Sequence, residues 1–435
     1  MGSSKFKEYK GLDLPAVNSE VLERWDAVDA FGKSISTREG HPTFVFYEGP
    51  PSANGMPGIH HVMARTIKDV FCRYKTQRGF LVHRKAGWDT HGLPVELGVE
   101  KKLGITKEDI GTKISIEEYN RICRREVMTY TDAWERLTRR MGYWIDMKDP
   151  YITYDNKYIE TLWHLLAELY KKGLLYKGYT IQPYSPAAGT GLSNHELNQP
   201  GCYRDVKDTT CTALFRIVRD QQSERLFDGA DGDVYFMAWT TTPWTLPSNV
   251  ALCVNPDVTY VKVQTESAAY ILAAELVASN IEGPYEITAS YAGSELEGME
   301  YEPLYSFKEP EGKAYYVTCD GYVTTSDGTG IVHIAPAFGA DDAQVGRKYG
   351  LPFLQLVDNK GKMTAETPWA GLFCKDADKE IIKDLNTRGL LYKVIPFEHS
   401  YPYCWRCDTP LIYYARDSWF IKMTDVREQL IKNND

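Results

Sequence analysis

The stretch from Phe44 to Val82 constrains this chain more than any other. Phe44 to Tyr47 is a short apolar run, followed by Gly49-Pro50-Pro51 and then Asn54-Gly55, where strand pairing and helix are both disfavoured. Val62, Thr66, Ile67, Val70, Phe71 and Tyr74 then recur at intervals of three and four until Gly79, which predicts a helix with a glycine stop. A second apolar run, Phe80 to Val82, follows at once. Strand, helix and strand within about forty residues make a βαβ unit of a parallel sheet. Such sheets bind ligands outside the carboxyl ends of their strands.

Helical spacing returns in Glu117 to Met141 and Tyr158 to Lys172, the latter with Ile159, Leu162, Leu165, Leu166 and Leu169 on one face before Gly173. From about Tyr184 the character changes. Val234 to Trp239, Val258 to Gln264 and Ala314 to Thr318 are short runs rich in β-branched and aromatic residues, with turns between them. They predict an all-β insertion. Ala377 to Thr387 reads as helix again, and Tyr392 to Tyr414 as a crossing back to the first domain. With 435 residues, the chain is expected to divide into about two to four domains.

No apolar run is long enough to cross a bilayer, and MGSSKFKEYKGLDLP has neither a secretory core nor the Arg-rich character of a transit peptide. The expected setting is the cytoplasm, with no membrane partner. Nine cysteines, mostly scattered, suit a reducing compartment better than a disulfide framework. A net charge of −9 argues weakly against nucleic acid. Arg121, Arg124, Arg125, Arg136, Arg139 and Arg140 form a local basic run that reads either as a phosphate-backbone contact or as a solvated helix face.

The turn into the first helix, Pro57-Gly58-Ile59-His60-His61, lies where a helix N-terminus after a strand offers N–H groups and a favourable dipole to phosphate. A histidine there can donate to phosphate oxygens as charge builds in a transfer reaction. FYEGPPSANG precedes this turn and GWDTHGLPVE follows the next apolar run. Together the three stretches resemble the class I aminoacyl-tRNA synthetases, and GWDTHGLPVE resembles their isoleucine-specific members. The family signature His-Ile-Gly-His falls on Gly58, Ile59, His60 and His61, so a glycine stands at its first position and a histidine at its third. The resemblance implies that Gly58, His60 and His61 bind ATP, with His60 and His61 acting on the phosphates. It also implies that Asp89 holds the α-ammonium of isoleucine, while Gly49 and Pro50 wall its side-chain pocket.

Two further segments extend the resemblance. Trp239 to Asn249, WTTTPWTLPSN, joins several hydroxyls to two rigid prolines, and Gly328 to Asp342, GTGIVHIAPAFGADD, sets a histidine and an acidic pair around a glycine-containing turn. In this order they resemble the editing domain that isoleucine, valine and leucine synthetases share. The resemblance implies that Thr240, Thr241 and Thr242 line a hydrolytic pocket and that Trp244 limits its size. His333 would bind the substrate or the terminal ribose hydroxyl, and Asp342 the α-ammonium of the misplaced amino acid, with Asp341 supporting the loop. A second pocket answers a physical limit. One methylene is worth only about 1–3 kcal/mol in an apolar site, isoleucine against valine being the standard example.

Cys404 and Cys407 form the chain's single CxxC, but a closed structural zinc site needs four ligands. The family's partner CxxC would fall at Tyr184-Ser185-Pro186-Ala187-Ala188, which holds no cysteine, so two free thiols are expected rather than zinc. The family's second signature, Lys-Met-Ser-Lys-Ser, is also absent; Lys422-Met423-Thr424 matches only its beginning. The expected architecture is α/β: a Rossmann-type parallel sheet, the first half of a class I catalytic domain, in residues 1–185. A β-barrel-like editing insertion would occupy 186–395, with the return to the catalytic domain in 396–435. The resemblance implies ATP with Mg2+, isoleucine and its tRNA as partners, the tRNA 3′ end at the editing site, and a monomer. Missing its second signature, the chain is expected to be an N-terminal portion competent for editing alone. The alternatives are a stand-alone editing hydrolase and a tRNA-binding remnant.

Overall fold

A computed structural model describes residues 11–434 other than Asp231. Most of MGSSKFKEYKGLDLP therefore lies outside the described residues. The chain divides into two compact units at residues 175 and 176. Among the described residues no helix is long and apolar enough to cross a membrane.

The first unit is mainly helical. The helix expected after the glycine turn spans Ile59–Gln77 and ends before Gly79, whose φ of 93° suits only glycine. The flanking apolar runs do not form the expected strands. Phe44 to Tyr47 and Phe80 to Val82 meet only at a parallel bridge between Thr43 and Leu81. The parallel pairing falls one segment later, between β1 (Lys85–Trp88) and β2 (Asp146–Ile152). Apolar residues alone did not mark it. Gly87 lies against the Tyr151 ring, where even a Cβ would stand 2.3 Å from the ring.

The long helical stretch after Glu117 breaks in two, Ile116–Val127 and Thr131–Arg140. Their buried faces fill two small cores. One gathers Ala53, Trp88 and Trp134, the other Val99, Tyr119 and Ile122. The next helix, Asn156–Lys171, buries no residue; Leu165 on its apolar stripe is 55% exposed. Of the basic run, Arg121 pairs with Glu118, Arg125 with Glu126 and Arg139 with Asp26, while Arg124 covers the Tyr154 ring. Four of the six arginines are thus engaged locally.

The second unit is built on strands. β3 (Leu175–Ser185) and β4 (Thr190–Gly191) lead into the long β5 (Tyr203–Arg216). After it come β6 (Val234–Thr240), β7 (Ala251–Val254), β8 (Thr259–Gln264), β9 (Ala269–Ala273) and β10 (Glu286–Ala292). β11 (Tyr316–Cys319), β12 (Ile331–Ile334), β13 (Leu391–Pro402) and β14 (Ile412–Ile421) complete the set. A six-stranded sheet runs β10-β8-β9-β6-β5-β13, and two three-stranded sheets run β11-β7-β12 and β14-β3-β4. Each of the three apolar runs expected as strands lies on one of these. The expected helix is present as Cys374–Thr387.

The alternation of β6 explains its place. Phe236 and Ala238 enter the main core with Phe215, Trp244, Leu252 and Ile271, while Tyr235 and Met237 pack on the opposite face with Leu214, Val261 and Leu272. A strand buried on both faces must be apolar throughout. β6 therefore delivers its carboxyl end, Thr240, into the interior.

Candidate functional site

Thr240, buried at the end of β6, opens a chain of hydroxyls. Its Oγ1 accepts the Thr242 N–H at 3.1 Å, and Thr242 Oγ1 lies 3.3 Å from Thr245 Oγ1. Pro243 then starts a 3-10 turn, Pro243–Ser248, whose fixed φ suits its first position. Thr245 donates its hydroxyl proton to Thr242 O at 2.8 Å. Its oxygen is 2.9 Å from His333 Nε2. Since the Thr245 proton is committed, His333 Nε2–H must be the donor, and His333 Nδ1 is left as an acceptor. That nitrogen is buried and has no partner among the described residues.

His333 is set by β12, which pairs with β7 at Leu252. Burial lowers its pKa to about 4, so the ring is neutral near pH 7. Past β12 the chain turns at Gly339 into the helix Ala340–Tyr349, which carries Asp341 and Asp342 in its first turn. Asp342 Oδ2 accepts the Ala335 N–H at 2.9 Å. Burial pushes the Asp342 carboxyl up to about 7, the Ala335 hydrogen bond opposes this, and the Asp341 charge adds to it.

All six expected residues of this region, Thr240, Thr241, Thr242, Trp244, His333 and Asp342, line one cavity of about 530 Å3. Trp244 is buried and meets Phe338 edge to face at 5.0 Å, forming an apolar wall. Sequence reasoning missed Thr245, Phe338, His399 and Tyr401, which also line the cavity. Thr245 lay inside the segment already singled out, and its hydroxyl was the available signal. His399 and Tyr401 come from β13 and carried none. A further unexpected residue, Asp378 of the helix Cys374–Thr387, takes the Trp244 N–H at 2.8 Å.

In the first unit, Gly58 caps the helix Ile59–Gln77 and donates its N–H to His61 Nδ1 at 2.9 Å. His61 therefore keeps its proton on Nε2. Its pKa is lowered by burial and by the neighbouring His60 and Arg65, so the ring is a neutral donor. The rings of His60 and His61 lie 3.8 Å apart, and His61 meets Trp134 at 4.7 Å. A Cβ at Gly58 would come within 2.8 Å of the His60 ring. The His60 imidazole thus occupies space that a side chain at position 58 would use.

The turn holding Gly49 and Pro50 is fastened nearby. Asp89 N–H donates to Pro51 O at 2.9 Å, Tyr130 N–H to Ala53 O at 3.0 Å, and Trp134 Nε1–H to Gly55 O at 2.9 Å. The Asp89 residue itself is exposed, and among the described residues its carboxylate accepts only a long contact from His91 N–H, at 3.4 Å. Thr90 and Thr153 lock the carboxyl ends of β1 and β2 through hydroxyls 2.8 Å apart. Glu48, which the sequence did not single out, takes Lys68 and the Tyr143 hydroxyl.

The family described as tRNA synthetases class I (I, L, M and V) matches residues 20–435. The chain belongs to the class I tRNA synthetases. This synthetase chain is 53% identical to an isoleucine--tRNA ligase of Porphyromonas gingivalis, over 99% of this chain and 43% of that protein. It is 47% identical to the isoleucine--tRNA ligase of Clostridium acetobutylicum, over 96% of this chain and 39% of that one. The synthetase chain thus spans less than half the length of the curated relatives it matches. Among solved structures, a P. knowlesi cytosolic leucyl-tRNA synthetase editing domain aligns loosely, at 14% identity and a TM-score of 0.34, covering 45% of this chain and 97% of that one.

Proposed function

We propose that this chain belongs to an isoleucine--tRNA ligase and that its second unit is the editing hydrolase, clearing valine from mischarged isoleucine tRNA. The observation that supports this best is the meeting of Thr240 to Thr242, Trp244, His333 and Asp342 around one cavity. In this reading the Asp342 carboxylate holds the substrate ammonium by a charge-assisted hydrogen bond. His333 Nδ1 accepts from a hydroxyl of the substrate or the terminal ribose, and the threonine hydroxyls orient the ester. The Trp244–Phe338 wall bounds the side-chain pocket. Water attacks the ester carbonyl, the acyl–oxygen bond breaks, and valine and the free tRNA 3′ end are released.

The first unit supplies half of an activation site. The bridge at Thr43 and Leu81 together with β1 and β2 forms part of a Rossmann-type sheet, and the sheets of the second unit form the barrel-like insertion. The insertion occupies 186–395 and the chain returns to the catalytic domain in 396–435. ATP enters as substrate, bringing Mg2+ with it. His61 Nε2–H and His60 face its phosphates near Gly58, Asp89 holds the isoleucine ammonium, and Gly49 and Pro50 border its side chain. The 435 residues hold no Lys-Met-Ser-Lys-Ser. Editing is the activity we propose to find in these residues, with a monomer in the cytoplasm as the proposed setting.

The deciding experiment measures valine released from valyl-tRNA by the chain. Release that falls with Asp342→Ala is expected. A silent wild type, or a rate unchanged in that variant, overturns the reading.

A further inference from the structure

Cys404 and Cys407 belong to neither site, and their surroundings are specific. They sit on the turn joining β13 to β14, where Asp408 N–H donates to Cys404 O and Cys404 N–H to Thr409 O, each at 2.8 Å. Asp408 takes a φ of 60°, a left-handed conformation that an aspartate adopts only in a tight turn. The turn sets both cysteines on one tight loop.

Two hydroxyls converge on the Cys407 sulfur. Ser185 Oγ, at the end of β3, lies 3.3 Å from Cys407 Sγ. That oxygen already accepts the Ala188 N–H at 3.2 Å, so its own proton is available to sulfur. Thr409 Oγ1 lies 3.2 Å from Cys407 Sγ. Cys404 is fully buried among Leu192, Leu197 and Leu411, whereas Cys407 is partly open.

Donors aimed at a sulfur favour its thiolate, the form that attacks electrophiles and disulfides. We propose that Cys407 and Cys404 are a reactive dithiol, a modification site at which small-molecule disulfides close a Cys404–Cys407 bond. Cys407 thiolate attacks one sulfur of the incoming disulfide, whose S–S bond breaks to release one thiolate and leave a mixed disulfide on Cys407. The Cys404 thiol passes its proton to that thiolate and attacks Cys407 Sγ, expelling the second small thiolate, which takes up the proton that Cys407 released on ionising. The dithiol loses two electrons and two protons, and the incoming disulfide becomes two thiols.

Four other cysteines are set the opposite way. Burial pushes Cys211, Cys253 and Cys374 up to about 12 and Cys319 to about 11. At Cys407 burial also acts upward, but the hydrogen bonds of Ser185, Thr409 and Cys404 outweigh it and the thiol is lowered.

The test is competitive alkylation of the whole chain with iodoacetamide at neutral pH, mapped by mass spectrometry. Cys407 is expected to react roughly tenfold faster than Cys123, the other partly exposed cysteine. Ser185→Ala and Thr409→Val should each slow it. Glutathione disulfide should remove two hydrogens from the peptide holding both cysteines, while Cys404→Ser should instead trap glutathione on Cys407. Wild-type labelling of Cys407 no faster than that of Cys123 overturns the proposal. So does stoichiometric zinc held by the pair in the purified protein.

Discussion

Asp378 Oδ1 accepts the backbone N–H of Trp244 at 2.8 Å, across 134 positions of sequence. Pro243 has no N–H to offer, so Trp244 carries the first free donor of the 3-10 turn that walls the cavity. A helix far along the chain thereby braces one wall of the cavity.

Asp378→Ala should leave that N–H unsatisfied, at about 1–3 kcal/mol. Trp244 would then loosen against Phe338. The expected result is a lower ratio of valyl-tRNA to isoleucyl-tRNA hydrolysis, with Asp378→Asn restoring it because its amide oxygen still accepts. Equal ratios for the wild type and the alanine variant would remove Asp378 from the specificity wall.

Asp342 makes a pH prediction. Its carboxyl is raised to about 7 from 3.8, chiefly by burial, and must be ionised to pair with an ammonium. Raising the pH through about 7 therefore increases the productive fraction of free protein. Editing kcat/KM should rise to a plateau above that point, and fall as protonation removes the charge below it. His333, neutral above about 4, should not contribute to this limb. Asp342→Asn should abolish the rise and lower kcat/KM roughly ten- to a hundredfold, the worth of a charged hydrogen bond.

Thr245→Val keeps the shape of Thr245 but removes the oxygen that receives His333 Nε2–H. A buried donor left without a partner costs about 1–3 kcal/mol. Thermal unfolding should shift down and editing should weaken, and Thr245→Ser should recover much of both. A valine variant matching the wild type in both measurements would mean that the contact orients nothing.

Gly293 offers a test of packing away from either site. A Cβ there would lie 1.9 Å from the backbone oxygen of Asn255 and 3.0 Å from the Tyr260 ring. Gly293→Ala should destabilise the second unit by about 1–3 kcal/mol or more in urea unfolding, since the obstructing atom is main chain.

What could be read in advance divides by the range of the interaction. The helix Ile59–Gln77 and strands such as β6 were legible because local periodicity records burial. The pairing of β1 with β2 was not, because it joins Lys85 to Asp146 across three helices, and Lys85–Trp88 includes a glycine where a ring packs. Phe44 to Tyr47 was apolar enough for a strand, yet only Thr43 beside it makes a bridge, an isolated one with Leu81. In the cavity, short segments announced the threonines, His333 and Asp342. Thr245 as an acceptor, and Asp378 as a brace, depend on geometry that no local pattern encodes.

One pairing of the second unit has a bearing on how such a molecule is assembled. β5 and β13 run antiparallel from Ala213 beside Leu391 to Tyr203 beside Pro402. The chain departs at Tyr203 and comes home at Pro402, shoulder to shoulder with its own point of departure. Closing so large a loop is entropically mild, each doubling of length adding only about 0.6 kcal/mol. The residues between leave and return at one place within the second unit, while Tyr184 and Tyr414 on either side reach into the same core and bond Asn359 and Val357.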